Sequence, residues 1–141
     1  MRRFVPLNTD AALLVLRIVL AAVMLYHGIP KLLDFGGTVA GFGSMGIPAP
    51  GLSAAFATLV EVVGGILILI GVATDIAGLL IVIDMLGAIF MVHWSKGFDF
   101  SQGGWEHPFT VLGIALALAL AAPGAYSVGG SRRSQVEGRR I

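Results

Sequence analysis

Residues 11–29 read AALLVLRIVLAAVMLYHGI, about nineteen positions with one formal charge, at Arg17. A helix rises about 1.5 Å per residue, and about 20 apolar residues cross the hydrocarbon core of a bilayer. Asn8, Thr9 and Asp10 offer N-cap side chains, and Pro30 is expected to end the helix. Three similar runs follow, over about residues 53–72, 76–93 and 108–122. The third is expected to be capped by Thr74 or Asp75, and the fourth to stop at Pro123-Gly124. At about fifteen residues the fourth reaches a workable length only by starting near Trp105 or by local thinning of the bilayer.

Lipid leaves the backbone two ways to satisfy its N–H and C=O groups, helices or a closed barrel. A barrel needs segments alternating apolar with polar residues, whereas residues 111–122 read VLGIALALALAA. The sequence therefore predicts an all-α, integral membrane four-helix bundle. Composition agrees: 57% of the 141 residues are hydrophobic and 12% charged, about half the charge of a soluble domain. The start, Met1-Arg2-Arg3 before an apolar run, is read as leading into a span rather than as a cleaved signal. The run is long, no A-x-A-like site follows it, and three more spans come after it.

Basic residues set the expected orientation. Arg2, Arg3, Arg132, Arg133, Arg139 and Arg140 flank the bundle on one side, against Lys31 and Lys96 on the other. N and C termini are therefore expected in the cytoplasm, in a multi-pass protein of the plasma (inner) membrane. Residues 1–10 form a cytoplasmic N-terminal segment, 11–128 the four-helix domain and 129–141 a basic, disordered cytoplasmic tail. In the first outer loop, residues 35–47, FGGTVAGFGSMGI, are glycine-rich but apolar and suggest a short interfacial helix or re-entrant turn.

Arg17, Glu61 and Asp84 lie inside the expected spans. A charge at the bilayer centre costs about 2.5–3.5 kcal/mol on insertion scales, so these residues need partners or a function. Arg17 lies about six residues into its helix, Glu61 and Asp84 about eight into theirs. Arg17 is expected to neutralise one acid, in a buried pair or triad that fixes helix register. The surplus acid would then be neutral at pH 7 and a candidate proton-exchanging group beside a polar pocket.

A second cluster, His27, Lys31, His93, Glu106 and His107, falls at the expected outer mouth. Tyr26, Trp94 and Trp105 read there as interfacial anchors, with the lysines snorkelling. Three histidines and a carboxylate have the chemistry to bind a transition metal, hydrogen-bond a quinone carbonyl or relay a proton. Their spacing enforces no metal site, and none is assigned. The absence of cysteine excludes disulfides, thiolate catalysis and cysteine-ligated clusters. No phosphate-binding, dinucleotide or HExxH motif occurs, and no feature points to nucleic acid. Gly64-Gly65, Gly71, Gly78 and Gly87-Ala88 allow close helix packing.

Four segments together resemble the DoxX family of small four-helix membrane proteins. Residues 17–35 read R-x9-HGIPKLLDF, 60–71 VEVVGGILILIG, 92–107 VHWSKGFDFSQGGWEH and 123–127 PGAYS. The resemblance covers about residues 13–128. It implies four transmembrane helices and kinship with a subunit of an archaeal thiosulfate:quinone oxidoreductase. It also implies association with membrane oxidoreductase complexes that handle oxidative stress. The positions matching the family pattern are Arg17, Gly28, Lys31, Glu61, Gly64, Gly65, His93, Gly97 and Glu106. His107-Pro108 departs from it, as does the closing segment, where Ala122 and Gly129 replace the family's first Gly and final Asp. Asp84 is not a matching position.

The expected function is that of a small membrane subunit linked to a quinone-dependent oxidoreductase or respiratory complex. Quinone is its expected non-covalent cofactor. The alternative is a non-catalytic accessory or assembly subunit of a larger membrane complex, and a third reading is a small-molecule permease or sensor. Expected partners are the lipid bilayer and a membrane protein complex or a second copy of the chain.

Overall fold

The computed structural model describes residues 4–128. The tail 129–141 and the terminal arginines that carry the orientation argument lie outside the described residues. The described chain is all-helical. It comprises α1 (Thr9–Leu33), the short α2 (Phe35–Ser44), α3 (Pro50–Ile70), α4 (Thr74–Lys96) and α5 (Glu106–Leu120). The helices α1, α3 and α4 are long and apolar enough to cross a membrane. Helix α5 has 15 residues, a rise of about 22 Å against a hydrocarbon core of about 30 Å.

Asn8 caps α1 by accepting a hydrogen bond from the Ala11 N–H at 2.9 Å. The helix does not end at Pro30 but runs to Leu33. Proline in the last turn removes only the bond to the Tyr26 carbonyl, close to the end where carbonyls lose their helical partners anyway. This extra turn carries Lys31 inside the helix. Asp34 then stops α1 and caps α2, accepting from the Gly37 N–H at 3.0 Å. The expected short helix of the first outer loop is thus present as α2, with none of its residues buried.

Helix α3 ends in a Schellman turn. The Val72 N–H bonds the Leu67 carbonyl at 3.0 Å, the Gly71 N–H bonds Ile68 at 3.2 Å, and Gly71 takes φ +71°. Ala73, at φ 47°, opens α4 directly, so neither Thr74 nor Asp75 is the cap. The turn is too tight to leave either residue outside the helix, and Thr74 is buried in the first turn.

Helices α4 and α5 pack in close contact because Gly78 has no side chain. A Cβ there would lie 2.7 Å from the Ala115 carbonyl oxygen. That neighbour is backbone and cannot rotate away, so Gly78→Val is expected to cost about 1–3 kcal/mol. The check is a fall in melting temperature in mild detergent, with Gly113→Val as control, since an added Cβ at Gly113 meets nothing within 4 Å.

Leu20, Met24, Ile68, Ile81, Val111 and Leu118 form the inner core. Val15, Ile18, Leu79, Ile83, Phe90 and Leu120 point outward from the spans and are exposed. Apolar residues on both faces of a helix suit lipid rather than water as the surrounding solvent. The Asp10 carboxylate accepts from the Ala125 N–H at 2.8 Å, which brings the start of α1 and the segment after α5 to one end of the bundle.

Candidate functional site

Midway along α3 the helix widens into a π turn, Val60–Gly64, and α4 does the same at Ile89–His93. Such turns hold an extra residue and recur at functional sites. The first carries Glu61, which is 5% exposed. Helix α1 approaches this turn at Gly28, where an added Cβ would lie 2.8 Å from the Glu61 Cβ and 3.0 Å from the Val62 backbone nitrogen.

Glu61 pairs with Lys31, Nζ to Oε2 at 2.6 Å. Lys31 also donates to the His27 carbonyl at 3.2 Å. Helical side chains lean toward the N-terminus of their helix, so a lysine in the last turn of α1 points back into the bundle. Lys31 is therefore not a snorkelling interfacial residue. It is the counter-charge for Glu61.

The expected pairing of Arg17 with Glu61 or Asp84 is corrected. Arg17 is 2% exposed and lies toward the end of the bundle where the termini meet. Its Nε donates to the Ile68 carbonyl at 2.9 Å and its NH2 group to Leu69 at 2.6 Å. Its NH1 group donates to Pro123 at 3.0 Å and Tyr126 at 2.9 Å. Among the described residues none of these partners is an acid. The guanidinium satisfies the Leu69 carbonyl and adds a second bond to that of Ile68 at the C-terminal end of α3, where the helix dipole favours positive charge, and ties them to the segment after α5. Gly71 leaves it room, since a Cβ there would lie 2.9 Å from the Arg17 Cζ.

A cavity of about 540 Å³ lies between the helices in the half of the bundle away from the termini. Glu61, Lys31 and Asp84 line it, and so do His27, His93 and His107. The Oδ2 atom of Asp84 is buried and makes no hydrogen bond to a described residue. A buried polar atom without a partner is unusual enough to demand an explanation. The rings of His27 and His107 are 5.6 Å apart. His93 Nδ1 lies 2.7 Å from the Gly103 carbonyl, an acceptor, so that nitrogen carries a proton. Met24, Met85, Met91, Phe42 and Phe56 supply apolar walls.

Glu106 does not join the histidines. Its carboxylate accepts from the Phe100 N–H at 3.1 Å and helps fold the loop between α4 and α5. Among the described residues no three of His, Asp and Glu come together as a metal site would require. Trp94 and Trp105 stack at 5.9 Å, with Phe98 and Phe109 edge-on to Trp105, outside the cavity. The apolar walls and the two π turns had no signature in the sequence, because a π turn depends on how helices meet rather than on which residues it contains.

The DoxX family model matches residues 12–94, the stretch that holds Arg17, Lys31, Glu61, Asp84 and His93. The chain belongs to the DoxX family. It is 33% identical over 107 residues to "Putative oxidoreductase CatD" of Bacillus subtilis (strain 168), covering 76% of each chain. It is 33% identical over 122 residues to inner membrane protein YphA of Escherichia coli (strain K12), covering 82% of this chain and 86% of the relative. Inner membrane protein YqjF of the same organism is 29% identical over 119 residues, covering 84% and 90%. No solved structure gives a significant match. This DoxX protein, with several helices apolar enough to span a membrane, is accordingly a multi-pass protein of the inner membrane, and the two E. coli relatives are named as inner membrane proteins.

Proposed function

We propose that this DoxX protein is a membrane subunit of a quinone-linked oxidoreductase and that its cavity holds the quinone head group. What supports the reading is the partnerless Asp84 Oδ2 at the wall of a cavity that also holds the Lys31–Glu61 pair. A quinone head presents two carbonyl acceptors on a flat apolar ring. Lys31, Asp84 in its protonated form and the N–H groups of His27 or His107 are donors for the carbonyls. Met24, Met85 and Phe56 suit the ring.

A bound quinone supplies two-electron, two-proton redox chemistry. This chain's residues orient the head group, exclude water and hold a proton at Asp84 Oδ2, with the cavity histidines leading toward the surface. The sequence has no cysteine to ligate an Fe–S cluster, so any such cluster belongs to a partner. The name of the CatD relative accords with an oxidoreductase role. The second reading, an accessory subunit of a larger complex, is favoured by Arg17, which serves the fold rather than the pocket.

Asp84→Leu separates the two readings, because it should move stability and binding in opposite directions. Removing a carboxyl whose buried Oδ2 has no hydrogen-bond partner should raise stability by about 1–3 kcal/mol. Removing a head-group donor should weaken quinone binding about tenfold, equivalent to 1.4 kcal/mol. Melting curves and quinone titration of the purified protein measure both. Wild type that copurifies with no quinone and binds none when it is added would sink the proposal.

A further inference from the structure

Above Glu61 and Asp84 the cavity has one wall from α3 and one from α4, and these two walls are not packed closely together. Helix α4 packs on α5 through its Thr74–Ala88 part and reaches α3 at the π turn and toward the end near Gly71. The first half of α3 leans instead on α1 and α2. Leu52 and Phe56 stand on one side of the resulting cleft, and Ile83, Gly87 and Met91 on the other. Leu52 is 77% exposed, Ile83 56% and Met91 55%, although all three line the cavity that ends at the carboxylates. The polar floor is thus continuous with the lipid-facing side of the bundle. The way out past the loops is different. It is lined by Phe42, Met45 and the buried Ile47 and by His93 and His107.

We infer that the site selects a ligand with a long apolar chain, which leaves sideways between α3 and α4 into the half of the bilayer away from the termini. The inference rests on the head-group reading above and adds the route and the chain requirement. An apolar chain gains nothing from the histidine-flanked end of the cavity. In the cleft it meets apolar side chains and then lipid, so it stays out of water while the head occupies the floor. Gly87 marks the passage, because an added Cβ there meets nothing within 4 Å. A large side chain at Gly87 therefore starts into open space on the cleft wall.

The test uses the full chain in nanodiscs of one defined lipid. The probes are a tailless dimethoxy-methyl-benzoquinone and its decyl homologue, with affinities expressed per mole fraction in the bilayer to remove partitioning. Wild type is expected to bind the decyl compound at least about tenfold more tightly. Gly87→Phe should bring it down to the tailless affinity and leave tailless binding unchanged. Leu52→Trp, on the facing wall, should act likewise, and melting curves verify that both variants fold. Gly113→Phe, at an open glycine on α5 away from the cavity, should alter neither affinity. Equal wild-type affinities, or Gly87→Phe and Leu52→Trp changing both ligands alike or neither, would overturn the sideways route and leave the head-group reading standing. Wild type that binds neither compound removes both.

Discussion

Replacing Arg17 with leucine is expected to prevent the folded protein from accumulating in the membrane. The guanidinium makes four hydrogen bonds to carbonyls at the end of α3 and after α5. A hydrogen bond to a charged group contributes about 1.5–3 kcal/mol, and a buried acceptor left bare costs about 1–3 kcal/mol. These contributions overlap, but a combined loss of about 3 kcal/mol or more is a large share of the 5–15 kcal/mol that holds a typical domain. Arg17→Lys should recover only part of it. One ammonium cannot reach carbonyls on two separate segments as a planar fork does. Fluorescence-detected chromatography of tagged protein, followed by melting in mild detergent, reads the ranking wild type, Arg17→Lys, Arg17→Leu. If Arg17→Leu melted within a few degrees of wild type, the clamp would have no structural weight. The same experiment speaks to function, because Arg17 does not line the cavity. Any Arg17→Lys protein that folds should bind ligand like wild type.

Lys31→Met should be nearly as damaging, for another reason. It leaves Glu61, 5% exposed, without the ammonium now 2.6 Å away. Breaking a buried pair from one side costs about 3–5 kcal/mol, whereas replacing both partners by apolar groups is often close to neutral. The double variant Lys31→Met/Glu61→Met should therefore melt near wild type while Lys31→Met alone melts far below it. Under the proposed function the double variant should still lose quinone binding, since both polar groups leave the cavity. A single variant as stable as wild type would mean the pair is solvated and contributes little. A double variant that is stable and binds normally would remove Lys31 and Glu61 from the site.

The two acids within the spans were legible from depth alone, because a carboxyl eight residues into an apolar helix can hardly avoid the middle of a bilayer. Their partners were not. A helix that stops at Pro30 leaves Lys31 interfacial. One further helical turn reverses the direction of its side chain and takes it to Glu61. Arg17 was matched to an acid because a buried base suggests a buried acid, yet backbone carbonyls at a helix end are an equally good destination. Nothing in the sequence marks where α3 would end relative to Arg17 in space. Glu106 was grouped with the histidines on sequence proximity, and the fold of its own loop turns it away from them.

By itself the sequence determined the solvent, the class of fold and the approximate positions of the helices. These follow from the length of apolar runs and from the need to satisfy every backbone group within lipid. Tertiary structure alone decided which charges meet, that two π turns flank the cavity, and that α3 and α4 part beside Gly87. Those outcomes depend on distances of a few ångströms between residues far apart in the chain. Helix crossing and side-chain direction set such distances, and the periodicity of a single helix carries no record of them.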